Sequence, residues 1–169
     1  VGLAAGTEQG VKAVLVYISI YLVMTLGAFA CVLLMRRNNA PVEQIDDLGG
    51  LAKQQPLLAA AIATLMFSLA GIPPLAGFIG KFYVFMAAVD AGLVPLAIIG
   101  VLASVVGAYY YLRVVKVMYF DEVIDPLDRD HGREFSIVVA VAAIFNLAFC
   151  LSPGFLLDHA ERAAATLFS

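Results

Sequence analysis

The chain has 169 residues, of which 63% are hydrophobic and only 14% charged. A soluble globular domain is about 45–50% apolar and roughly 25% charged, so this chain has too little polar surface to cover a water-soluble core. Its mean hydropathy of +0.96 puts it in the membrane class, and its net charge of −3 argues against a nucleic-acid partner, since phosphate binding needs concentrated Lys and Arg.

Four apolar stretches follow one another along the chain, 13–35, 54–89, 91–112 and 135–157, the second carrying a single charge at Lys81 and the others none. A helix needs about 20 apolar residues to cross a ~30 Å hydrocarbon core, so each is a candidate span. Backbone groups in lipid must bond internally, which makes helices the expected conformation. The expected architecture is therefore an all-α integral membrane domain with four transmembrane segments. They are joined by a polar connection at 36–53, a short Asp90-Ala91-Gly92 turn, and a second polar connection at 113–134.

Arg36, Arg37 and Lys53 fall in the first connection; Arg113, Lys116, Arg129 and Arg133 fall in or beside the third. The turn between the second and third spans carries only Asp90. Lys and Arg accumulate on the cytoplasmic side, so the first and third connections are expected there, with the Asp90 turn and both termini opposite. The third connection, "DEVIDPLDRDHGRE", contains Pro126 and Gly132 and reads as a solvated loop with a short surface helix. The tail "DHAERAAATLFS" reads as an amphipathic turn or two at the interface. Neither end has a basic start, a short apolar run and a small-residue cleavage site, so no removable signal peptide is expected.

The second stretch is too long for one crossing. From 57 to 89, a straight helix would reach about 50 Å at ~1.5 Å per residue. Its middle reads "LMFSLAGIPPLAGFIGKFYVF". Pro73 and Pro74 remove two backbone donors and crowd the carbonyls four residues earlier, Pro74 pushes Pro73 out of helical geometry, and Gly71 supplies flexibility. Two half-helices with a break at 71–75 are expected. Irregular backbone at membrane depth survives only where protein buries it or a wet cavity lies beside it.

Lys81, in the second half-helix, is the one charged side chain between Lys53 and Asp90. Snorkelling to the headgroups is the ordinary explanation for such a lysine. Here the exit at Asp90 lies about 13 Å of helix rise away, and side chains tilt towards the helix N-terminus, in the other direction. A lysine inside a span is costly, usually faces the bundle interior, and marks ion pathways or proton relays. Gly77 and Gly80 flank it, admitting either a close helix neighbour or a file of water. "AYYYLR" at 108–113 reads as an interfacial aromatic belt.

The remaining chemistry-bearing residues offer little. Cys31 and Cys150 each stand alone in an apolar run, which makes neither a disulfide framework nor a metal site. His131 and His159 sit among charges. No phosphate loop, HExxH or triad spacing is present, so no cofactor-binding or metal site is expected in this chain.

"SLAGIPPLAGFIGKFYVF", followed one helix later by "GAYYYLRVVKVMYF" and preceded by "DDLGGLAKQQP", resembles the antiporter-like membrane subunits of respiratory complex I. The resemblance runs from the first span to the fourth and matches only the C-terminal portion of the family's length. The lysine at position 81 and the short C-terminal end narrow it to one of the sister subunits. It implies the C-terminal part of a fourteen-helix antiporter-like fold that moves protons along a hydrophilic axis, coupled to quinone reduction. On that pattern Lys81 is the proton-transferring lysine of a broken helix and Pro73 marks the break. The family's glutamate and further relay lysines have no counterpart here. NADH, FMN, iron–sulfur clusters and quinone would belong to other parts of the complex. The implied partners are the other membrane subunits, sister antiporter-like subunits among them, and the lipid bilayer. The implied location is a bacterial inner membrane, or alternatively a mitochondrial one. A cation/proton antiporter or membrane-bound hydrogenase subunit shares the same motif, and a purely structural bundle with Lys81 in an assembly contact remains a third reading.

Overall fold

The computed structural model describes residues 1–38, 40–42, 44–123, 127–128 and 133–167. Pro126, Arg129, His131 and Gly132 of the third connection lie outside the described residues, as does the side chain of Arg133.

Helix α1, Glu8–Leu34, starts five residues before the uncharged stretch does. The Thr7 hydroxyl accepts from the Gly10 amide at 3.1 Å, and Glu8 stands in the first turn, where a negative charge suits the helix dipole. Its buried positions Ala13, Val16, Ile20, Met24 and Gly27 recur every three or four residues and form one face. Gly27 admits a close neighbour: a β-carbon there would lie 2.5 Å from that of Ala142.

After α1 the chain turns through a two-residue antiparallel ladder, β1 (Arg36–Arg37) and β2 (Ala40–Pro41), a small departure from the all-helical expectation. A 3-10 turn, Ile45–Leu48, and a four-residue helix, α2 (Leu51–Gln54), follow. Helix α3 is Pro56–Ala70, opened by a proline whose missing N–H costs nothing in the first turn. Helix α4 is Ala76–Asp90, and α5 is Val94–Phe120. Helix α6 is Arg133–Leu151 and α7 is Gly154–Ala165.

Among the described residues, three helices are long and apolar enough to cross a membrane: Glu8–Leu34, Val94–Phe120 and Glu134–Leu151. In place of a second crossing of that kind stand α3 and α4, each 15 residues and so about 22 Å long. Two further boundaries differ from the hydropathy reading. Helix α5 continues past Arg113 and Lys116, because exposed Arg and Lys are good helix formers and charge alone does not end a helix. The tyrosines at 109–111 consequently lie well inside α5 and not at its end. The stretch 135–157 is interrupted at Ser152-Pro153, where proline has no amide to donate and unsettles the residue before it.

The long helix α1 is central, packed against α3, α4, α6 and α7, and α3 in turn packs on α5. At one end the loop after α1 meets the segment after α5. The Asp128 amide donates to the Arg36 carbonyl at 2.8 Å, and Arg37 pairs with Asp47 at 3.0 Å. Gly50, at φ 68°, fits under Val123 where a β-carbon would come within 2.5 Å. At the other end the start of α1, Asp90 and Leu157 share one cleft. The outer faces are broadly apolar: Leu26 and Phe29 on α1, Leu102, Val105 and Val106 on α5 and Ile144 on α6 are each about 60% exposed. Such faces suit a protein whose surroundings are lipid or other membrane chains.

Candidate functional site

The segment between α3 and α4 is built from local rules. Gly71 ends α3 in the left-handed conformation, φ 86°. Its amide donates to Ser68 and Phe67 carbonyls at 3.0 and 3.1 Å, and the next amide, Ile72, donates to Phe67 at 3.0 Å. This is the Schellman arrangement, favoured by glycine because a β-carbon strains the left-handed region. Pro73 and Pro74, joined by a cis peptide, prevent the helix from resuming at once, and α4 begins at Ala76.

A Schellman turn satisfies the carbonyls of Phe67 and Ser68 and leaves those of Leu69 and Ala70 without an intrahelical partner. Lys81 takes both. Its Nζ donates to Leu69 O at 2.8 Å and to Ala70 O at 3.4 Å. The side chain runs back towards the start of α4, as the tilt of helical side chains dictates. An ammonium at a helix C-terminus also meets the negative end of the dipole. Gly71 makes room for it, since a β-carbon there would lie 3.2 Å from Lys81 Cδ and 3.4 Å from Nζ. Lys81 and Gly71 are thus brought together. Pro73 and Pro74 stand exposed beside them.

The other face of the junction is fastened by residues that the sequence reading missed. Ser68 and Asn146 are fully buried, one on α3 and one on α6. The Ser68 hydroxyl accepts from the Gly77 amide at 3.0 Å and donates to Asn146 Oδ1 at 2.6 Å, with Met24 Sδ 3.0 Å away. Asn146 Nδ2 donates to its own helix at Ala142 O, 2.8 Å. Ser68 therefore serves α4 as an N-terminal cap from a different helix, in a position where Leu75 offers no side-chain oxygen. The available signal was a lone serine and a lone asparagine inside apolar runs, since buried polar groups require partners.

Gly77 explains the closeness: a β-carbon there would sit 2.0 Å from the Ser68 carbonyl oxygen. Gly80 faces Tyr17 and Ile20 of α1 at 3.4 Å. Both glycines are occupied in helix packing. Lys81 is half-buried and opens into an apolar groove of about 400 Å³ between α4 and α5, lined by Phe78, Phe82, Phe85, Val101, Ser104 and Val105. Cys31 is buried and Cys150 half-buried, both as free thiols. Among the described residues no cluster of His, Cys, Asp and Glu could hold a metal ion. The arrangement offers a primary amine on two backbone carbonyls beside a fold discontinuity, which suits binding or passing a proton.

Residues 1–107 match the family described as NADH:quinone oxidoreductase/Mrp antiporter, TM. The chain belongs to that family. Its relatives include NADH-quinone oxidoreductase subunit N of Azorhizobium caulinodans, 62% identical over 168 residues, and that of Parvibaculum lavamentivorans, 56% identical over 167 residues. Each alignment covers 99% of this chain and 35% of the relative, so the chain spans about a third of the length of these curated relatives. Subunit N is also the sister subunit to which the motif resemblance narrows. Respiratory complex I from Thermus thermophilus contains a chain of the same fold, with a TM-score of 0.77 and 31% identity over 93% of this chain and 36% of that one. The Mrp complex from Dietzia gives a TM-score of 0.84 at 23% identity, covering 99% of this chain and 40% of that one; this likeness shows the shared fold alone.

Proposed function

We propose that the chain is part of a proton-translocating membrane subunit of NADH-quinone oxidoreductase, and that Lys81 passes protons along a hydrophilic axis coupled to quinone reduction. The observation that carries this reading is the placement of the Lys81 ammonium on the Leu69 and Ala70 carbonyls at the α3–α4 junction. Carbonyl oxygens accept from a protonated or a neutral amine alike. A carboxylate partner would hold the charged form much more firmly. A proton can therefore leave and return without dismantling the junction.

On this reading α3 and α4 are the two halves of one discontinuous crossing, which with α1, α5 and α6 makes four spans. They form the C-terminal part of a fourteen-helix antiporter-like fold. The partners are the other membrane subunits, including sister antiporter-like subunits. The cofactors reside elsewhere in the assembly, and the location is a bacterial inner membrane. The identities of 51–62% to subunit N favour complex I over a cation/proton exchanger. Co-purification with flavin and iron–sulfur subunits separates the two.

The test is a Lys81→Met and Lys81→Arg pair in the assembled complex, reading quinone reduction and proton uptake in vesicles. Methionine fills similar space without a titratable group, and arginine stays protonated and cannot pass the proton on. Both should depress pumping, with quinone reduction falling as far as the two are coupled. Parental pumping in both variants, with assembly intact, would leave Lys81 a structural residue.

A further inference from the structure

We infer that Ser68 and Asn146 are positioning residues for Lys81, acting through the backbone of α4. This rests on the reading of Lys81 as the proton-transfer group. The α3–α4 junction is held on two sides by two different helices. On one side α4 reaches back to α3 through Lys81 and the carbonyls of Leu69 and Ala70. On the other, α3 holds the first turn of α4 through the Ser68 hydroxyl and the Gly77 amide. Gly77 and Lys81 are one helical turn apart, so they lie on the same face of α4, one above the other. A displacement of Gly77 relative to α3 is therefore carried by a rigid turn of helix directly to Lys81.

The hydroxyl of Ser68 has one proton and is aimed by Asn146. By accepting that proton at 2.6 Å, Asn146 Oδ1 turns the serine lone pairs towards the Gly77 amide. Asn146 is in turn oriented by the hydrogen bond its Nδ2 donates to Ala142 O. The asparagine stands on α6, 78 residues away from Ser68, so the chain from Ala142 through Asn146, Ser68 and Gly77 ties the junction to a third helix. Both side chains are fully buried, and a half-satisfied polar group in such a place is costly. The network therefore holds one geometry. Proton transfer needs donor and acceptor within hydrogen-bond reach, and a shift of about 1 Å at Lys81 is enough to lose it.

The experiment uses the full-length subunit in the assembled complex, reconstituted in vesicles, with proton uptake and quinone reduction measured together. Ser68→Ala and Asn146→Ala should each lower proton uptake several-fold. Ser68→Thr, which keeps the capping oxygen, should restore most of it. In a Lys81→Met background, Ser68→Ala should add no further loss, because residues acting through one group are not additive. Parental pumping in Ser68→Ala and Asn146→Ala, while Lys81→Met is impaired, overturns this inference and leaves the role of Lys81 standing. Parental pumping in Lys81→Met itself removes the underlying reading instead. An assembled Ser68→Thr as impaired as Ser68→Ala, or additive losses in the double variant, also overturns it. If Ser68→Ala does not assemble, Asn146→Ala carries the comparison, because it keeps the capping hydroxyl and removes only the group that aims it. Failure of both to assemble assigns the pair to folding alone and overturns the proposal.

Discussion

The ammonium of Lys81 lies 2.8 Å from the carbonyl oxygen of Leu69, twelve residues earlier in the chain. That one contact joins the end of α3 to the middle of α4 across a segment where no helical ladder runs. A hydrogen bond to a charged group contributes about 1.5–3 kcal/mol where a neutral one gives ~1. The lysine is thus a main fastening of the junction as well as the group proposed to carry protons.

Gly71 serves both the turn and the lysine, and two substitutions separate these roles. At φ 86° an alanine is strained by about 1–2 kcal/mol, and its β-carbon also crowds Lys81. Gly6, at φ 63° with nothing within 4 Å, carries the strain without the crowding. In the full-length subunit, Gly71→Ala and Gly6→Ala should lower the thermal unfolding midpoint by similar amounts. Only Gly71→Ala should also reduce proton uptake. Equal pumping in both would show that the space beside Lys81 is immaterial.

Gly77→Ala should be far more damaging than Gly80→Ala. The first places a β-carbon 2.0 Å from a backbone oxygen, which cannot move without displacing α3. The second meets Tyr17 and Ile20 at 3.4 Å, within reach of small adjustments. The amount of assembled complex recovered from membranes measures this. Gly77→Ala should drop to a small fraction of the parental yield and Gly80→Ala should stay near it. A normal yield for Gly77→Ala would mean that α4 is not held against Ser68 in the membrane.

The Lys12–Glu161 pair, 2.5 Å apart, fastens α7 to the start of α1. The hydrogen bond from Lys12 and, after it, the positive charge hold the Glu161 carboxyl below its ordinary value of 4.5. A depressed carboxyl pKa contributes stability that is present above the unfolded value and lost as pH falls through the folded one. Docking of α7 should therefore weaken below about pH 4.5. Amide hydrogen exchange across Gly154–Ala165, corrected for intrinsic pH dependence, should speed up there. Glu161→Gln should remove that acid-dependent step. Because both partners are partly exposed, high salt should blunt it too.

Sidedness can be read with an impermeant thiol reagent on intact bacterial cells. In a background lacking Cys31 and Cys150, a cysteine at Ala91 should be labelled from outside and one at Gln44 only after the membrane is opened. Arg36, Arg37 and Lys53 beside Gln44 are the reason, since basic loops stay cytoplasmic. Labelling of Gln44→Cys but not Ala91→Cys would invert the topology.

The membrane class, the helical character and the family were determined by the sequence alone, because hydropathy and a motif such as G-I-P-P with G-K-F-Y are carried by neighbouring residues. Lys81 stood out for the same reason, as an isolated charge in an apolar run. What holds Lys81 was decided only by tertiary structure. Its partners are backbone carbonyls, which every residue possesses and no pattern distinguishes. Ser68 and Asn146 lie 78 positions apart, so nothing in either neighbourhood announces the pair. Hydropathy ends the third stretch at 112, just after the tyrosines at 109–111, whereas helix continuation depends on backbone bonding and propensity, which carry α5 on to Phe120. Gly77 looked like a general small residue until packing set it against the Ser68 carbonyl. Local chemistry sets where a helix stops; which atoms then face each other depends on how the separate helices pack.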